Sequence, residues 1–338
     1  MPRICIVPAV EGVGGMATFR QKFEAGLLRR DIAISHDPTE ANDAVLVIAG
    51  TRHLGPLVSA RRAGIRVVQR LDGINWIHRR KRTGARHWLR AEYGNLILSL
   101  IRRRIATRIL YQSEFTRRWW DDWYGPVTNE TAVVHNGVDL TEYLPDGPGQ
   151  PPADRFRLLV VEGSLGGGYD MGLDNAVRLG EILHSRHQLP VELLVVGKIG
   201  DDHRRRVESR AGIPVAWAGV VSRERIPEID RAAHLLFSAD INAACPNSVI
   251  EALACGLPVA SFDTGALKEL ITGDSGRLVP YGGDPWKLEP PDVPALAQAA
   301  DEILREQPRF RKAARARAEE ALGLEKMVES YLQVLLGG

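Results

Sequence analysis

The segment 243–259, AACPNSVIEALACGLPV, contains the pattern with the clearest chemical meaning. Pro246 ends a loop, Asn247 or Ser248 can cap a helix that starts there, and Gly256 ends that helix. The backbone amides of such an N-terminus suit a diphosphate. Glu251, about one turn further in, can accept both hydroxyls of a ribose; the alternative is a charged helix residue with no ligand. We therefore predict that Asn247, Ser248, Val249 and Glu251 bind a nucleotide diphosphate, which we call the donor because it would carry the group to be transferred.

Two glycine-rich loops each connect a strand-like run to a helix-like run. They are EGVGGM at residues 11–16 and VEGSLGGGYDMG at residues 161–172. Glycine lets a backbone approach a ligand closely, and successive N–H groups can cradle phosphate oxygens, although either loop could also be a plain tight turn. A cation at Lys198 would stabilise a departing diphosphate. These patterns predict further donor contacts at Gly14, Gly15, Gly163, Ser164 and Lys198.

A second polar group, in the first half of the chain, follows the apolar run that ends near Gln69. A carboxylate at Asp72 could orient or deprotonate a hydroxyl of an acceptor. The competing interpretation is that Arg70 and Asp72 form an ion pair at a strand end. We predict acceptor contacts at Arg70, Asp72 and Trp76, with Asp72 and Lys198 as the catalytic residues.

Strand-like and helix-like runs alternate along almost the whole chain, which is typical of parallel sheets with crossover helices. Ligands bind at the carboxyl ends of the strands in such sheets. The Pro- and Gly-rich stretch 144–153 predicts a linker. We expect an α/β protein of two doubly wound, Rossmann-like domains that face each other across a cleft. The expected divisions are 1–150 for the acceptor, 151–322 for the donor, and a C-terminal helix in 323–338 that crosses back to the first domain.

The chain resembles the retaining GT-B glycosyltransferases of family four. The likeness runs through Gly14-Gly15, Asn136–Asp139, Gly172, Val196–Lys198, Gly219 and, most specifically, 247–258. The resemblance implies a nucleotide diphosphate sugar as donor, with its ribose at Glu251 and its diphosphate near Asn247–Val249 and Gly14-Gly15. It also implies transfer to an acceptor hydroxyl with retention, and neither a cofactor nor a metal. Cell-envelope polysaccharide or glycolipid synthesis is the context we expect.

Three departures from the family pattern stand in this sequence. Ala243 replaces a first glutamate, Ser164 and Met171 replace a basic pair, and Arg70-Leu71-Asp72 stands where a histidine is common. Glu162 adds a negative charge near the missing basic pair. Two alternatives therefore stay open: a nucleotide-sugar epimerase of the same fold, and a non-catalytic protein that binds a nucleotide sugar.

Charge is unevenly distributed in the 338 residues, although the net charge is only +2. Residues 61–118 contain sixteen Arg or Lys against three acids, and the five tryptophans between 76 and 123 lie in or beside this stretch. Such a composition indicates an anionic partner, so we expect an anionic or lipid-linked acceptor or peripheral membrane contact rather than nucleic acid, although a solvated helix face is the simpler alternative. The lack of a long apolar run and the spacing of the three cysteines predict a cytoplasmic protein, peripheral on the inner face of the membrane.

Overall fold

The structure of the protein is a computed structural model that describes residues 1–9, 12, 14–166 and 170–337. The chain forms two compact units, Met1–Gly137 with Leu324–Gly338, and Val138–Gly323. The chain therefore leaves the first unit once and returns to it at its C-terminus. No helix among the described residues combines the length and the apolarity needed to cross a bilayer.

The first unit is a six-stranded parallel sheet with the strand order β2-β1-β3-β4-β5-β6. Its strands are β1 (Arg3–Val7), β2 (Ala33–Ser35), β3 (Ala44–Ile48), β4 (Arg66–Leu71), β5 (Arg108–Tyr111) and β6 (Glu130–Val133). Its helices are α1 (Gly15–Leu28), α2 (Leu54–Arg62), α3 (Ala85–Leu100), α4 (Glu114–Tyr124) and, from the end of the chain, α12 (Leu324–Leu336).

The second unit repeats this plan, with the strand order β12-β11-β10-β7-β8-β9. Its strands are β7 (Phe156–Ser164), β8 (Val191–Lys198), β9 (Val215–Gly219), β10 (Leu235–Phe237), β11 (Val259–Phe262) and β12 (Gly276–Val279). Its helices are α5 (Asp170–Ser185), α6 (Asp201–Glu208), α7 (Ile226–Arg231), α8 (Asn247–Ala254), α9 (Leu267–Leu270), α10 (Val293–Arg305) and α11 (Gln307–Ala321).

The core of the first unit joins α1 to α12 over the sheet. Phe19, Phe23 and Leu27 recur at four-residue spacing, so they share one face of α1, and all three are buried. Tyr331 of α12 packs on both rings, with centroids 5.1 Å from Phe19 and 5.2 Å from Phe23. A Cβ on Gly26 would lie 2.5 Å from Val328 Cγ2, so glycine permits this close helix–helix approach.

The expectation of a doubly wound α/β fold is confirmed. The Ser113 hydroxyl caps α4 by accepting a hydrogen bond from the Thr116 N–H. Asp121 lies in the second half of α4, where it forms an ion pair with the buried Arg102 at 2.5 Å.

The stretch 144–153 lies inside the second unit rather than between the two units. Arg231 explains this placement, because its guanidinium donates to the Pro148 carbonyl at 2.6 Å and to the Leu144 carbonyl at 3.0 Å. Charge-assisted hydrogen bonds to two carbonyls hold the segment without any helix or strand. The division falls instead at Gly137 and Val138, where the sequence shows no composition change.

Candidate active site

The carboxyl ends of β7 and β8 bring two of the predicted donor residues side by side. Ser164 pairs with Lys198 across the parallel ladder, and the Leu165 N–H donates to the Lys198 carbonyl at 2.8 Å. The side chains of Ser164 and Lys198, like Gly163, are exposed. This edge therefore presents one hydroxyl and one ammonium to an anion. Gly167, Gly168 and Tyr169 of the predicted phosphate loop lie outside the described residues.

The N-terminus of α8 supplies backbone donors at the same edge of the sheet. Pro246 occupies the N-cap position, and no side chain caps the helix. The predicted capping by Asn247 or Ser248 is therefore wrong, because Asn247 and Ser248 are already inside the helix. The N-terminal turn of a helix favours an anion through its backbone N–H groups and the helix dipole. Val249 is fully buried, so only its main chain could contribute.

The loop between β10 and α8 is held in place by the loop that follows β11. Gly265, at φ +61°, lies so close to this loop that a Cβ would be 2.5 Å from the Ala243 nitrogen and oxygen. The Ala266 N–H also donates to the Ala243 carbonyl at 2.9 Å. Ala243 is buried by this packing. The methyl group at position 243 thus lies against protein at the place where the family pattern has a carboxylate.

Glu251 lies one turn into α8 and is only 7% exposed. It belongs to a buried group of ionisable side chains in which its own negative charge acts on its neighbours. Burial and then the charge of Glu251 raise the pKa of the Asp230 carboxyl well above its usual range, while Arg231 opposes the shift. The same two causes raise the pKa of Tyr143. Glu251 thus sits in a low-dielectric environment where a polar ligand group would be held strongly.

A second acidic pair, which the sequence analysis missed, stands where β7 and β10 end. Burial and the negative charge of Asp240 raise the pKa of Glu162 to about 8. The backbone of Ala239 and Asp240, near the Glu162 carboxyl, acts in the opposite direction and lowers the pKa of Glu162. Burial raises the pKa of Asp240 to about 7. Two carboxyls this close share protons near neutral pH because both cannot ionise cheaply. The signal in the sequence was Asp240, three residues after the β10 strand.

The first unit has its own open helix end at the glycine loop after β1. Gly14 is the N-cap of α1 at φ 144° with no side-chain cap. A Cβ on Gly14 or Gly15 would meet no atom of the described residues within 4 Å. The neighbouring Val10, Glu11 and Val13 lie outside the described residues. The two predicted glycines therefore lie at a solvent-facing helix N-terminus that favours anions.

Arg70 does not face solvent, contrary to the acceptor contact predicted for it. It is 1% exposed, and its Nε donates to the Tyr331 hydroxyl at 3.0 Å while Nη2 donates to Asn136 Oδ1 at 2.8 Å. Its guanidinium carbon lies 3.8 Å from the centroid of the Phe19 ring. These contacts make Arg70 a structural residue that ties β4 to α1 and α12.

Asp72 remains half-exposed just beyond β4, while Trp76 is buried. The hydrogen bonds of Arg70 to Tyr331 and Asn136 replace the ion pair with Asp72 that was the alternative interpretation. Burial raises the pKa of Asp72, and the charge of Arg70 works in the opposite direction. The role predicted for Asp72 thus stays a prediction, whereas the buried Trp76 ring is not available as a platform for a ligand.

The chain is similar in sequence to known glycosyltransferases. Residues 159–306 match the family model described as glycosyl transferases group 1. A curated relative, the 2-deoxystreptamine N-acetyl-D-glucosaminyltransferase of Streptomyces fradiae, is 26% identical over 150 residues, which are 40% of this chain and 34% of that protein. The chain thus aligns with about a third of the length of the curated relative that it matches.

Solved structures resemble the chain over its whole length. Sucrose-phosphate synthase from Thermosynechococcus elongatus has a TM-score of 0.73 at 17% identity, covering 99% of this chain and 98% of the other. A glycosyltransferase from Rickettsia africae has a TM-score of 0.70 at 16% identity, covering 100% and 99%. HepE of Anabaena, solved with UDP and glucose, has a TM-score of 0.67 at 15% identity, covering 99% of both chains.

The two six-stranded parallel sheets, with helices on their faces, are therefore a GT-B fold. Within it, residues 159–306, which form most of the second unit, match the family model of the glycosyl transferases group 1.

Proposed function

We propose that the protein is a glycosyltransferase that takes a hexose from a nucleotide diphosphate sugar and transfers it to an acceptor hydroxyl with retention. The observation that carries the proposal is the edge of the second sheet, which lies within the family match. There, the uncapped N-terminus of α8 and the exposed Lys198 offer cationic and N–H contacts to a diphosphate. Glu251, behind the first turn of α8, is the carboxylate for the ribose hydroxyls.

Lys198 and the α8 amides would stabilise the diphosphate as it departs, which is the charge that grows most in the transition state. Asp72, beyond β4 of the first unit, would orient the acceptor hydroxyl and accept its proton, a role for which a raised pKa is suited. The proposal includes no metal.

Donor binding is tested by thermal unfolding with UDP, GDP, ADP, TDP and CMP. A ligand at 100 times its dissociation constant adds about 2.7 kcal/mol to the free energy of unfolding. We expect one diphosphate to give this shift with the native protein and to lose most of it with Glu251→Gln. The matched control is Glu192→Gln, because Glu192 lies at the opposite end of the same sheet, on the second residue of β8. An equal shift in both variants would exclude the ribose role of Glu251.

Turnover is tested with the nucleotide sugar that binds, with and without candidate lipid-linked or polysaccharide acceptors and with EDTA. We expect acceptor-dependent release of the nucleotide, unchanged by EDTA, and a product whose anomeric configuration matches the donor. Asp72→Asn should lower kcat by about 10²-fold or more, the usual contribution of a positioned base. A changed sugar formed without acceptor would instead indicate an epimerase, and saturable donor binding with no turnover would indicate a binding protein.

A further inference from the structure

The outer face of α3 in the first unit exposes large apolar side chains where a surface helix normally exposes polar ones. The members are Leu89, Tyr93, Leu96 and Leu100, which are 63%, 46%, 61% and 40% exposed. Their spacing of four, three and four residues places them within about 60° of arc on the helix. We call these four residues the α3 stripe. Exposed apolar groups of this kind mark contact surfaces.

The opposite face of α3 already packs on its own unit. Ala91, Asn95, Leu98 and Ser99 are buried there. A helix that is apolar on both faces is ordinarily covered on both. By contrast, the outer face of α11 exposes Arg309, Lys312 and Glu319, as expected of a helix that meets only water. The α3 stripe therefore has the composition of a buried surface but is exposed to solvent in the described part of the chain.

Cations surround the stripe at both ends and along one side. Arg86 and Arg90 are exposed on α3 itself, and Arg103 and Arg104 are exposed in the π-helical turn that continues it. The Arg52 guanidinium lies 5.5 Å from the Tyr93 ring centroid, beside the stripe. The only acid on α3, Glu92, is already held by Arg79 at 2.6 Å and by His78 at 2.7 Å. The rim is therefore strongly positive, which complements an anionic surface.

A basic cavity opens at the N-terminal end of the same helix. It has a volume of about 440 Å³ and is lined by His78, Arg80, Lys81, Arg82 and Trp88, among others. Trp88 is 45% exposed. Gly84 caps α3 with no side-chain hydrogen bond, so the first amides of this 16-residue helix also point toward the N-terminal end. A phosphate-bearing headgroup suits such a cavity, because guanidinium groups and helix N–H groups both bind phosphate.

We propose that α3 lies on an anionic lipid bilayer, with the α3 stripe in the boundary between headgroups and acyl chains and the basic cavity around a lipid phosphate. An apolar face with a cationic rim is the arrangement that holds a helix in the plane of such an interface. This inference goes beyond the proposed reaction, since lipid contact requires neither donor nor acceptor. The inference also moves the membrane contact predicted from the sequence onto α3, because other members of the basic, tryptophan-rich stretch are not accessible. Its buried tryptophans are Trp76, Trp119 and Trp120. Its arginines that donate hydrogen bonds inside the unit are Arg66, Arg70, Arg102 and Arg108.

The first experiment is sedimentation of the full chain with vesicles of phosphatidylglycerol and phosphatidylcholine, compared with vesicles of phosphatidylcholine alone. We expect binding to the anionic vesicles only, and release by salt because exposed charges are screened. The double variant Leu89→Gln, Leu96→Gln should weaken binding at least tenfold. Leu28→Gln is the matched control, because Leu28 is in the same unit and is also 63% exposed. Native protein that stays free of anionic vesicles, or equal binding by the double variant, would overturn the proposal.

A second set of variants tests the cations. Replacing Arg86, Arg90 and Arg103 by Gln should weaken vesicle binding about 100-fold, since each cation near an anionic membrane contributes roughly fivefold. The control is the same change of charge in the second unit, at the exposed Arg178, Arg206 and Arg210. Equal losses in both triple variants would mean that net charge alone drives binding and would overturn the assignment to α3. Analytical ultracentrifugation tests whether the protein self-associates. Self-association that the double variant Leu89→Gln, Leu96→Gln abolishes would overturn the proposal, because the α3 stripe would then be an interface between copies of the chain.

Discussion

The carboxyl edges of the two sheets surround their acidic side chains differently. Asp72, beyond β4, stands two residues from the guanidinium of Arg70, whose charge lowers its pKa against the effect of burial. Glu162 and Asp240, at the ends of β7 and β10, have each other instead. In the first unit the cation at the strand end is internal and permanent. In the second unit the carboxyls of Glu162 and Asp240 are neutralised by binding protons.

This difference means that the charge of the second edge changes with pH. Below about pH 7 the Glu162–Asp240 pair is largely uncharged, and above about pH 8 it carries two negative charges. A diphosphate bound near Lys198 would meet this pair in place of the basic pair that the family pattern has. Substitutions at the two edges should therefore change the free energy of unfolding by different amounts.

Replacing Arg70 by Met should have the largest effect. It removes the hydrogen bonds that the Arg70 guanidinium donates to the Tyr331 hydroxyl and the Asn136 side-chain oxygen, together with the contact with the Phe19 ring. A hydrogen bond to a charged group contributes about 1.5–3 kcal/mol, so we expect a loss of about 3–4 kcal/mol. Urea unfolding followed by tryptophan fluorescence measures it, with the exposed Arg103→Met as control. An unchanged midpoint would mean that Arg70 is not the structural cation of this edge.

Glu162→Gln should change the pH dependence of stability. The native carboxyl has a raised folded pKa of about 8, so the folded state holds its proton while the unfolded state releases it. Stability is therefore full below about pH 4.5 and falls as pH rises toward 8. The neutral amide removes this fall, so the variant should be about 1–2 kcal/mol more stable than the native protein at pH 9 and nearly equal at pH 4. Thermal unfolding at pH 4, 7 and 9 measures it; parallel curves for both proteins would refute the raised pKa.

The pairing of Glu162 with Asp240 is a separate prediction, testable by a double-mutant cycle with Asp240→Asn. If each carboxyl raises the cost of ionising the other, the gain from Glu162→Gln at pH 9 should shrink when Asp240 is already neutral. A coupling of about 0.5–1.5 kcal/mol is typical of side chains in contact. Strictly additive changes would show that burial alone acts on each group.

The smallest effect is expected for Asp72→Asn. Burial raises the pKa of Asp72, so the stability that Asp72 contributes falls as pH rises above the unfolded value near 3.8, and the Arg70 charge opposes this fall. We expect the variant to gain less than about 1 kcal/mol at pH 8, by thermal unfolding. Combining it with Arg70→Met should enlarge that gain, since the offsetting charge is gone. A large gain in stability from Asp72→Asn alone would mean that Arg70 does not offset the cost of ionising Asp72, so that Asp72 behaves like Glu162.

The fold could be predicted from the sequence because each buried strand is a compact apolar run between turn residues. The α8 segment was equally readable, since Pro246 and Gly256 bracket a short apolar helix. The tertiary contacts around the site could not be predicted from the sequence. Nothing local indicates that Arg70 reaches α12, some 260 positions along the chain, because tertiary contacts decide which cations are internal.

The α3 helix was missed for a different reason. Its apolar residues lie on both faces, so the sequence lacks the single stripe that identifies a surface helix. The Glu162–Asp240 pair was missed because its members are far apart in the chain and meet only when β7 and β10 become neighbours in the sheet. Such pairs follow from strand order, which a local pattern does not contain.

The return of the chain to its first unit has a consequence for biosynthesis. The second unit is continuous, from Val138 to Gly323, so all of its residues are translated before α12. The first unit begins before it but is completed only by α12, which brings Val328 and Tyr331 onto α1. On the ribosome, the core of the first unit therefore closes only after the whole second unit has been translated. Until α12 is made, Phe19 and Phe23 lack the Tyr331 ring that packs on both of them.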